Sequence, residues 1–448
     1  MESFLIAVVS MAAVLGIMIL VHEFGHYAAA KLFGVRVDVF SLGFGKRLTG
    51  FQRNGTDYRI SALPLGGYVK MAGENPLESR TGALDEFMSH PLWQRFVIAV
   101  AGPTMNILLA IGLLTGVFMV HYEYPVFLYQ PAVVGWVVDN SPAAKAGIQQ
   151  GDRVVRIDST QNPTWEDVML VMLKVMVSPR QPVDVAIQRG NEVLEKTIQP
   201  EMDASGQYGT IVGLPDEPVT VTEIESDMPA AKAGLKMGDD VVAVNGTPMR
   251  SLSAVFHFLQ QNGSKPVDVT VARNGQQLHL VITPVLTENR GQKSYRLGFY
   301  SDPVHVEKLS LVQAFGHSLD ENKRGSLLIV DLIHNMLERK ASIKQLTGPI
   351  GIARASGDAA RQPGWSPLLS LMALISLNLG ILNLLPIPIL DGGVILLLII
   401  EAILRRDISL RIKERIYQTA FVFLVLFFVV VIYNDLMKAL PGLAQRLP

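Results

Sequence analysis

Residues 4–21 read FLIAVVSMAAVLGIMILV, eighteen residues without a charge, and run directly into His22-Glu23-Phe24-Gly25-His26. A helix rises about 1.5 Å per residue, so roughly 20 apolar residues cross a bilayer's hydrocarbon. The same stretch therefore predicts a membrane span with two imidazoles and a carboxylate at its end. Residues four apart on a helix share a face, so His22 and His26 can reach one ion, with Glu23 on nearly the same side. Ionisable groups at membrane depth are costly and mark function. The run has no basic leader and no small-residue cleavage site, so it reads as a retained anchor.

Three more stretches have this character. Phe96–Val120 is 25 residues without a charge, Tyr417–Tyr433 is 17 without one, and Leu368–Ile400 is 33 with one, Asp391. The last is too long for one straight span. Its centre, Leu385-Pro386-Ile387-Pro388-Ile389-Leu390-Asp391-Gly392-Gly393, must break a helix, which is tolerated at membrane depth where protein or a water-filled cavity covers the backbone. Four spans account for the composition. Of 448 residues 49% are hydrophobic and only 18% charged, with a mean hydropathy of +0.31, against roughly 25% charged in a soluble chain.

The absence of cysteine excludes a disulfide framework, iron–sulfur ligation and thiolate zinc sites. The net charge of −1 gives no basic bias towards nucleic acid. Lys31, Arg36, Lys46 and Arg47 follow the first stretch, and Arg95 precedes the second. Arg405, Arg406, Arg411, Lys413 and Arg415 separate the third and fourth. The positive-inside rule then predicts both loops to be cytoplasmic, and both termini and the middle of the chain to be extracytoplasmic.

The middle repeats itself. Ser141-Pro142-Ala143-Ala144-Lys145-Ala146-Gly147-Ile148-Gln149-Gln150-Gly151-Asp152 returns 87 residues later as Met228-Pro229-Ala230-Ala231-Lys232-Ala233-Gly234-Leu235-Lys236-Met237-Gly238-Asp239. Val183-Asp184-Val185 returns as Val267-Asp268-Val269 at an offset of 84. Each copy predicts a strand, a short helix, a Gly-Asp turn, a strand, a longer helix and two alternating strands.

Two imidazoles do not complete a catalytic zinc site, which ordinarily has three protein ligands. Asp391, the only acid within the spans and set between helix-breaking prolines and two glycines, is the expected third. Here the residues resemble a family. The H-E-x-x-H of His22–His26, with Asn383-Leu384-Leu385-Pro386-Ile387-Pro388-Ile389-Leu390-Asp391-Gly392-Gly393, resembles the site-2 protease family of intramembrane zinc metalloproteases. The repeated signature resembles PDZ domains of bacterial envelope proteases, which bind extended peptides by strand addition. Val394 departs from the family, where many members have His after Asp-Gly-Gly.

The resemblance implies a polytopic α-helical membrane protein with two tandem extracytoplasmic PDZ (α+β) domains. Its expected parts are a first transmembrane helix (1–30), a cytoplasmic, membrane-associated β-hairpin region (31–93), a second transmembrane helix (94–121), PDZ domains at 128–215 and 216–288, and an extracytoplasmic connecting region (289–366). A broken third transmembrane helix (367–404), a cytoplasmic amphipathic loop (405–416) and a fourth transmembrane helix (417–437) complete it. Residues 289–366, including the basic amphipathic stretch Glu321–Lys344, carry no motif.

It also implies that Zn2+ is held by His22, His26 and Asp391, with Glu23 as general base. Asn383, Asn106 in Gly102-Pro103-Thr104-Met105-Asn106, Gly43 and Gly45 in a Gly-rich loop, and Gly66 and Gly67 in the hairpin are the expected substrate-handling residues. The implied site is a bacterial inner membrane, with chemistry towards the cytoplasmic side. The implied substrates are single-span membrane proteins already cut outside, anti-sigma factors in an envelope stress response above all and leftover signal peptides also. Lipids and peptide ligands of the PDZ domains are the other expected partners. A membrane-tethered PDZ scaffold with a vestigial metal site is the rival reading, which Glu23→Gln separates from an enzyme; a metal transporter, which needs no base such as Glu23, is the second, and metal analysis with a cleavage assay separates all three.

Overall fold

The computed structural model describes residues 2–74, 82–177, 181–201, 210–289, 292–338 and 347–439. Met1, the residues after 439, and the end of the Glu321–Lys344 stretch from 339 lie outside them. The chain divides into two compact units, Met1–Tyr122 with Lys308–Met336 and Ser342–Pro448, and Glu123–Glu307 with Leu337–Ala341.

In the first unit, four helices among the described residues are long and apolar enough to cross a membrane, at Leu5–Leu32, Leu92–Val120, Ser366–Asn383 and Arg411–Met437. The first belongs to the helix Glu2–Leu32 and the last to Leu410–Ala439. The third apolar stretch is two helices, Ser366–Asn383 and Asp391–Leu404. The second piece spans only about 21 Å and cannot cross alone. The basic segment expected as a loop at 405–416 is helical from Leu410, and its Lys413 turns inward to the buried Glu401, 2.6 Å away.

Small residues bring the first two helices together. A Cβ on Gly25 would lie 2.4 Å from the Ala101 carbonyl, and one on Gly102 2.2 Å from His26 Nε2. Hydroxyls join other helices through backbone carbonyls: Ser376 Oγ donates to Asn106 O and Ser318 Oγ to Ile111 O, the polar glue of helices in an apolar medium. Helices Leu311–Leu337 and Pro349–Arg361 belong to this unit, although the sequence placed them in a separate connecting region. The buried Asp435 of the fourth apolar helix accepts from the Gly348 and Gly351 amides at the start of Pro349–Arg361, supplying donors left over at a helix N-terminus with an acceptor.

The expected hairpin is more elaborate. Strands Val37–Arg53 and Thr56–Met71 meet at Asn54-Gly55, both at positive φ, as a tight two-residue turn requires. Residues 39–42, however, have neighbours on both edges. They pair with 57–60 on one side and 67–70 on the other, while 57–60 also pair with 49–52. Two bent strands thus make four rows. The bends use Gly43 (φ 92°), Gly45 (φ 90°) and Gly66 (φ 124°), conformations open to glycine. Rows 67–70 and 49–52 are the two outer edges.

The second unit holds the two repeats, each with a four-stranded sheet of the same order. Arg153–Ile157 lies between Thr160–Gln161 and the hairpin Val183–Arg189/Glu192–Ile198; Asp240–Val244 lies between Thr247–Pro248 and Val267–Arg273/Gln276–Ile282. The Gly-Asp of the signature has a shared physical cause. Asp152 accepts two bonds from Arg189 and one from the Gln149 amide; Asp239 does the same with Arg273 and the Lys236 amide. A bidentate Arg–carboxylate pair of this kind is the strong form of the interaction. The second repeat runs past the expected limit of 288. Leu297 and Phe299 are in its core, and Phe299–Tyr300 pairs with Glu223–Ile224. A boundary at 288 would cut the hairpin Val285–Asn289/Gln292–Arg296.

Arg273 holds the Asp239 carboxyl below its ordinary value of 3.8. Its contribution to stability is therefore complete above the ordinary value and lost as pH falls through the lowered one. Asp239→Asn is expected to destabilise the full-length protein near neutral pH and to weaken the acid dependence of its melting below about pH 4. Gly25→Ala, whose Cβ meets backbone, is expected to cost about 1–3 kcal/mol in a detergent melt. Gly116→Ala, whose Cβ meets nothing within 4 Å, is expected to leave the midpoint unchanged.

Candidate metal centre

The helix Glu2–Leu32 turns His22 and His26 to one face, both buried, and Asp391 meets them at the first residue of the helix Asp391–Leu404. His22 Nε2 lies 3.3 Å from His26 Nε2 and 3.1 Å from Asp391 Oδ2, and His26 Nε2 lies 3.3 Å from Asp391 Oδ1. Ligands at zinc bond lengths on a tetrahedron stand about 3.3 Å apart, so the three side chains fit the ion. Two further observations support that fit. Asp391 Oδ2 is buried and has no hydrogen-bond partner among the described residues despite its proximity to His22. His26 Nδ1 donates to Ile98 O at 2.8 Å, which leaves its Nε2 lone pair directed at the site.

The break delivers Asp391. After Asn383 the chain leaves the helix and Ile389 takes φ 91°, a strained value for a β-branched residue. The two glycines allow the next helix to start against this turn. A Cβ on Gly392 would sit 2.2 Å from Leu385 O, and one on Gly393 2.4 Å from Ile387 O. Asp391 then occupies a helix first turn, where the dipole favours a carboxylate.

The Gly-Pro-x-x-Asn element cradles the two imidazoles. Ile98, Gly102 and Asn106 are spaced by four along one face of the second helix: the first accepts from His26, the second makes room for it, and the third lies 3.2 Å from His22 Nδ1. Asn106, expected to handle substrate, is instead fully buried behind His22. Asn383 is on the open side, with Nδ2 3.3 Å from His22 Nε2.

A cavity of about 670 Å³ joins His22, Glu23, His26, Asn383 and Asp391 to row 68–71 of the sheet. The site glycines of the sheet do not line it. Gly43, Gly45 and Gly66 form the bends, and Gly67 is where the sheet meets the first helix, its missing Cβ 3.4 Å from Glu23 Cγ. Lining groups not singled out from sequence as part of the site include Glu74, Arg95, Glu401 and Lys413. Glu401 also accepts from the Ile408 amide at 3.1 Å, and Arg95 approaches it to 3.9 Å. The only signal in the sequence was position: Glu401 directly follows the apolar run.

The model of the Peptidase family M50 matches residues 10–427. The regulator of sigma-E protease RseP of Escherichia coli K12 is 32% identical, over 97% of this chain and 99% of its own. The regulator of sigma E protease of Haemophilus influenzae is 30% identical over 97% and 100%. A Vibrio cholerae protein provisionally named a zinc metalloprotease is 32% identical over 94% and 96%. A solved PDZ domain of the SdrC-like protein of Listeria monocytogenes aligns with 20% of this chain and 90% of its own, at 17% identity and a TM-score of 0.17; the PDZ reading of the repeats rests instead on their shared signature and strand order. The metal centre and the broken helix both fall inside the span matched by the family model, and the chain belongs to peptidase family M50 as a zinc metalloprotease.

Proposed function

We propose that this chain hydrolyses peptide bonds within the membrane segments of single-span proteins that another protease has first cut outside, with trimmed anti-sigma factors as the leading class. The observation that carries the reading is the position of the metal centre. His22 and His26 continue an apolar helix, and the cavity beside them is bordered by an outer sheet row. When bound, zinc supplies a Lewis acid that polarises a carbonyl and lowers the pKa of water at the site.

Glu23, which lines the cavity, takes the proton from the attacking water and returns it to the leaving amine. Asn383, at the mouth of the break, orients the scissile peptide and donates to the oxygen on which charge develops. A helical substrate has its carbonyls already bonded, so it must unwind. The outer row 67–70 offers replacement backbone partners to an extended segment, by strand addition. The positive-inside distribution supports an inner-membrane protein with the repeats and both termini outside and the chemistry towards the cytoplasm. The repeats exclude untrimmed substrates by bulk.

Glu23→Gln is expected to retain zinc and fold while losing about 10²–10⁴-fold in cleavage of a trimmed single-span substrate; unchanged activity would sink the enzyme reading. Asp391→Ala is expected to lose zinc in metal analysis of the purified protein. Removing Glu123–Glu307 is expected to permit cleavage of the untrimmed substrate. Continued dependence on the first cut would remove the size filter and leave the chemistry untouched.

A further inference from the structure

The two histidines are oriented by different kinds of partner. His26 Nδ1 faces a backbone carbonyl, an obligate acceptor, at 2.8 Å. His22 Nδ1 faces the side-chain amide of Asn106, and the atom placed there, 3.2 Å away, is Nδ2. An amide N–H donating to Nδ1 puts the ring proton on Nε2. That nitrogen faces His26 Nε2, Asp391 Oδ2 and Asn383 Nδ2, and a protonated Nε2 cannot ligate a metal. The other end of the same amide, Asn106 Oδ1, is buried and has no hydrogen-bond partner among the described residues, so no bond at that end holds the amide in that orientation. Nitrogen and oxygen of an amide are nearly equal in size, so a 180° turn exchanges them without moving the backbone. Oδ1 then accepts from a proton on His22 Nδ1, and the Nε2 lone pair is free for the ion.

We propose that Asn106 is a positioning residue that sets the tautomer of His22: in the zinc-loaded protein its Oδ1 accepts from His22 Nδ1–H. This rests on the zinc assignment above and extends it. The ring stays neutral, because the proton absent from Nε2 is carried on Nδ1. The second helix thereby holds both ligands in one tautomer, His26 through the Ile98 carbonyl and His22 through the amide two turns further on. Partners of this kind are ordinarily worth 10–100-fold in metal affinity.

Two variants separate accepting from filling space. Asn106→Asp keeps an acceptor and cannot donate; Asn106→Leu keeps the volume and does neither. Zinc affinity of the full-length protein in detergent is measured by chelator competition, with melting of each variant as the check on folding. Asn106→Leu is expected to bind zinc about 10–100-fold more weakly, and Asn106→Asp as tightly as wild type or more so. Wild-type affinity in Asn106→Leu overturns the proposal, as does a folded Asn106→Asp that loses zinc tenfold. Where either variant fails to fold, ¹⁵N-histidine spectra of the zinc-loaded wild type decide. A proton on His22 Nδ1 is expected, and its absence overturns the proposal. A wild-type protein that takes up no zinc would instead strike at the metal assignment itself.

Discussion

Everything in this molecule that bears on chemistry depends on how closely the second apolar helix approaches the first. Gly25 and Gly102 leave no room for side chains between the helices, and His26 lies in the space a Cβ at Gly102 would occupy. At that distance a carbonyl of one helix can receive the proton of an imidazole on the other. Two large polar rings are thus buried in an otherwise apolar setting with their outer nitrogens partnered and their inner nitrogens turned to a common point. A bilayer offers no water to satisfy them, so the neighbouring helix must.

The break in the third apolar stretch solves the complementary problem. A carboxylate has to enter the same apolar region from a different segment, pointed at the imidazoles. A helix terminus is suited to this, because its free amides and dipole stabilise the charge. Ending one helix at Asn383 and starting another at Asp391 places such a terminus at depth. The strain at Ile389 and the contacts of Gly392 and Gly393 show that the turn is compressed to do so. Asn383 emerges from the same break, so ligand and amide are set by one local geometry.

The doubled sheet joins this centre from the other side. Its outer row reaches the cavity, and its bends, made by glycines at positive φ, hold that row against the helix that bears Glu23. In the separate repeat unit the same economy appears in another form. One Asp–Arg pair, with an amide bond to the carboxylate, recurs in both copies and accounts for the invariant end of their shared signature.

Local rules were sufficient for much of this. Apolar run length located the helices, the spacing of His22 and His26 placed them on one face, and prolines with glycines located the break. The Asn54-Gly55 turn and the 87-residue offset of the repeats were equally legible, because turn and repeat signals are short in range. What needed the tertiary structure was every feature set by a partner distant in sequence. Residues 39–42 acquire two neighbours only when both strands bend. Lys413 finds Glu401 only where two helices meet. Leu297 and Phe299 complete a core whose other members begin at Val219. Asn106 could be read as polar and near the site, but whether it faces substrate or a ligand depends on the rotation and separation of two helices, which no local pattern encodes. The amino-acid sequence by itself named the candidate residues of the centre, because residue type and helical periodicity are local. Only the tertiary structure decided which groups adjoin those side chains, because that depends on distances of a few ångströms between segments far apart in the chain.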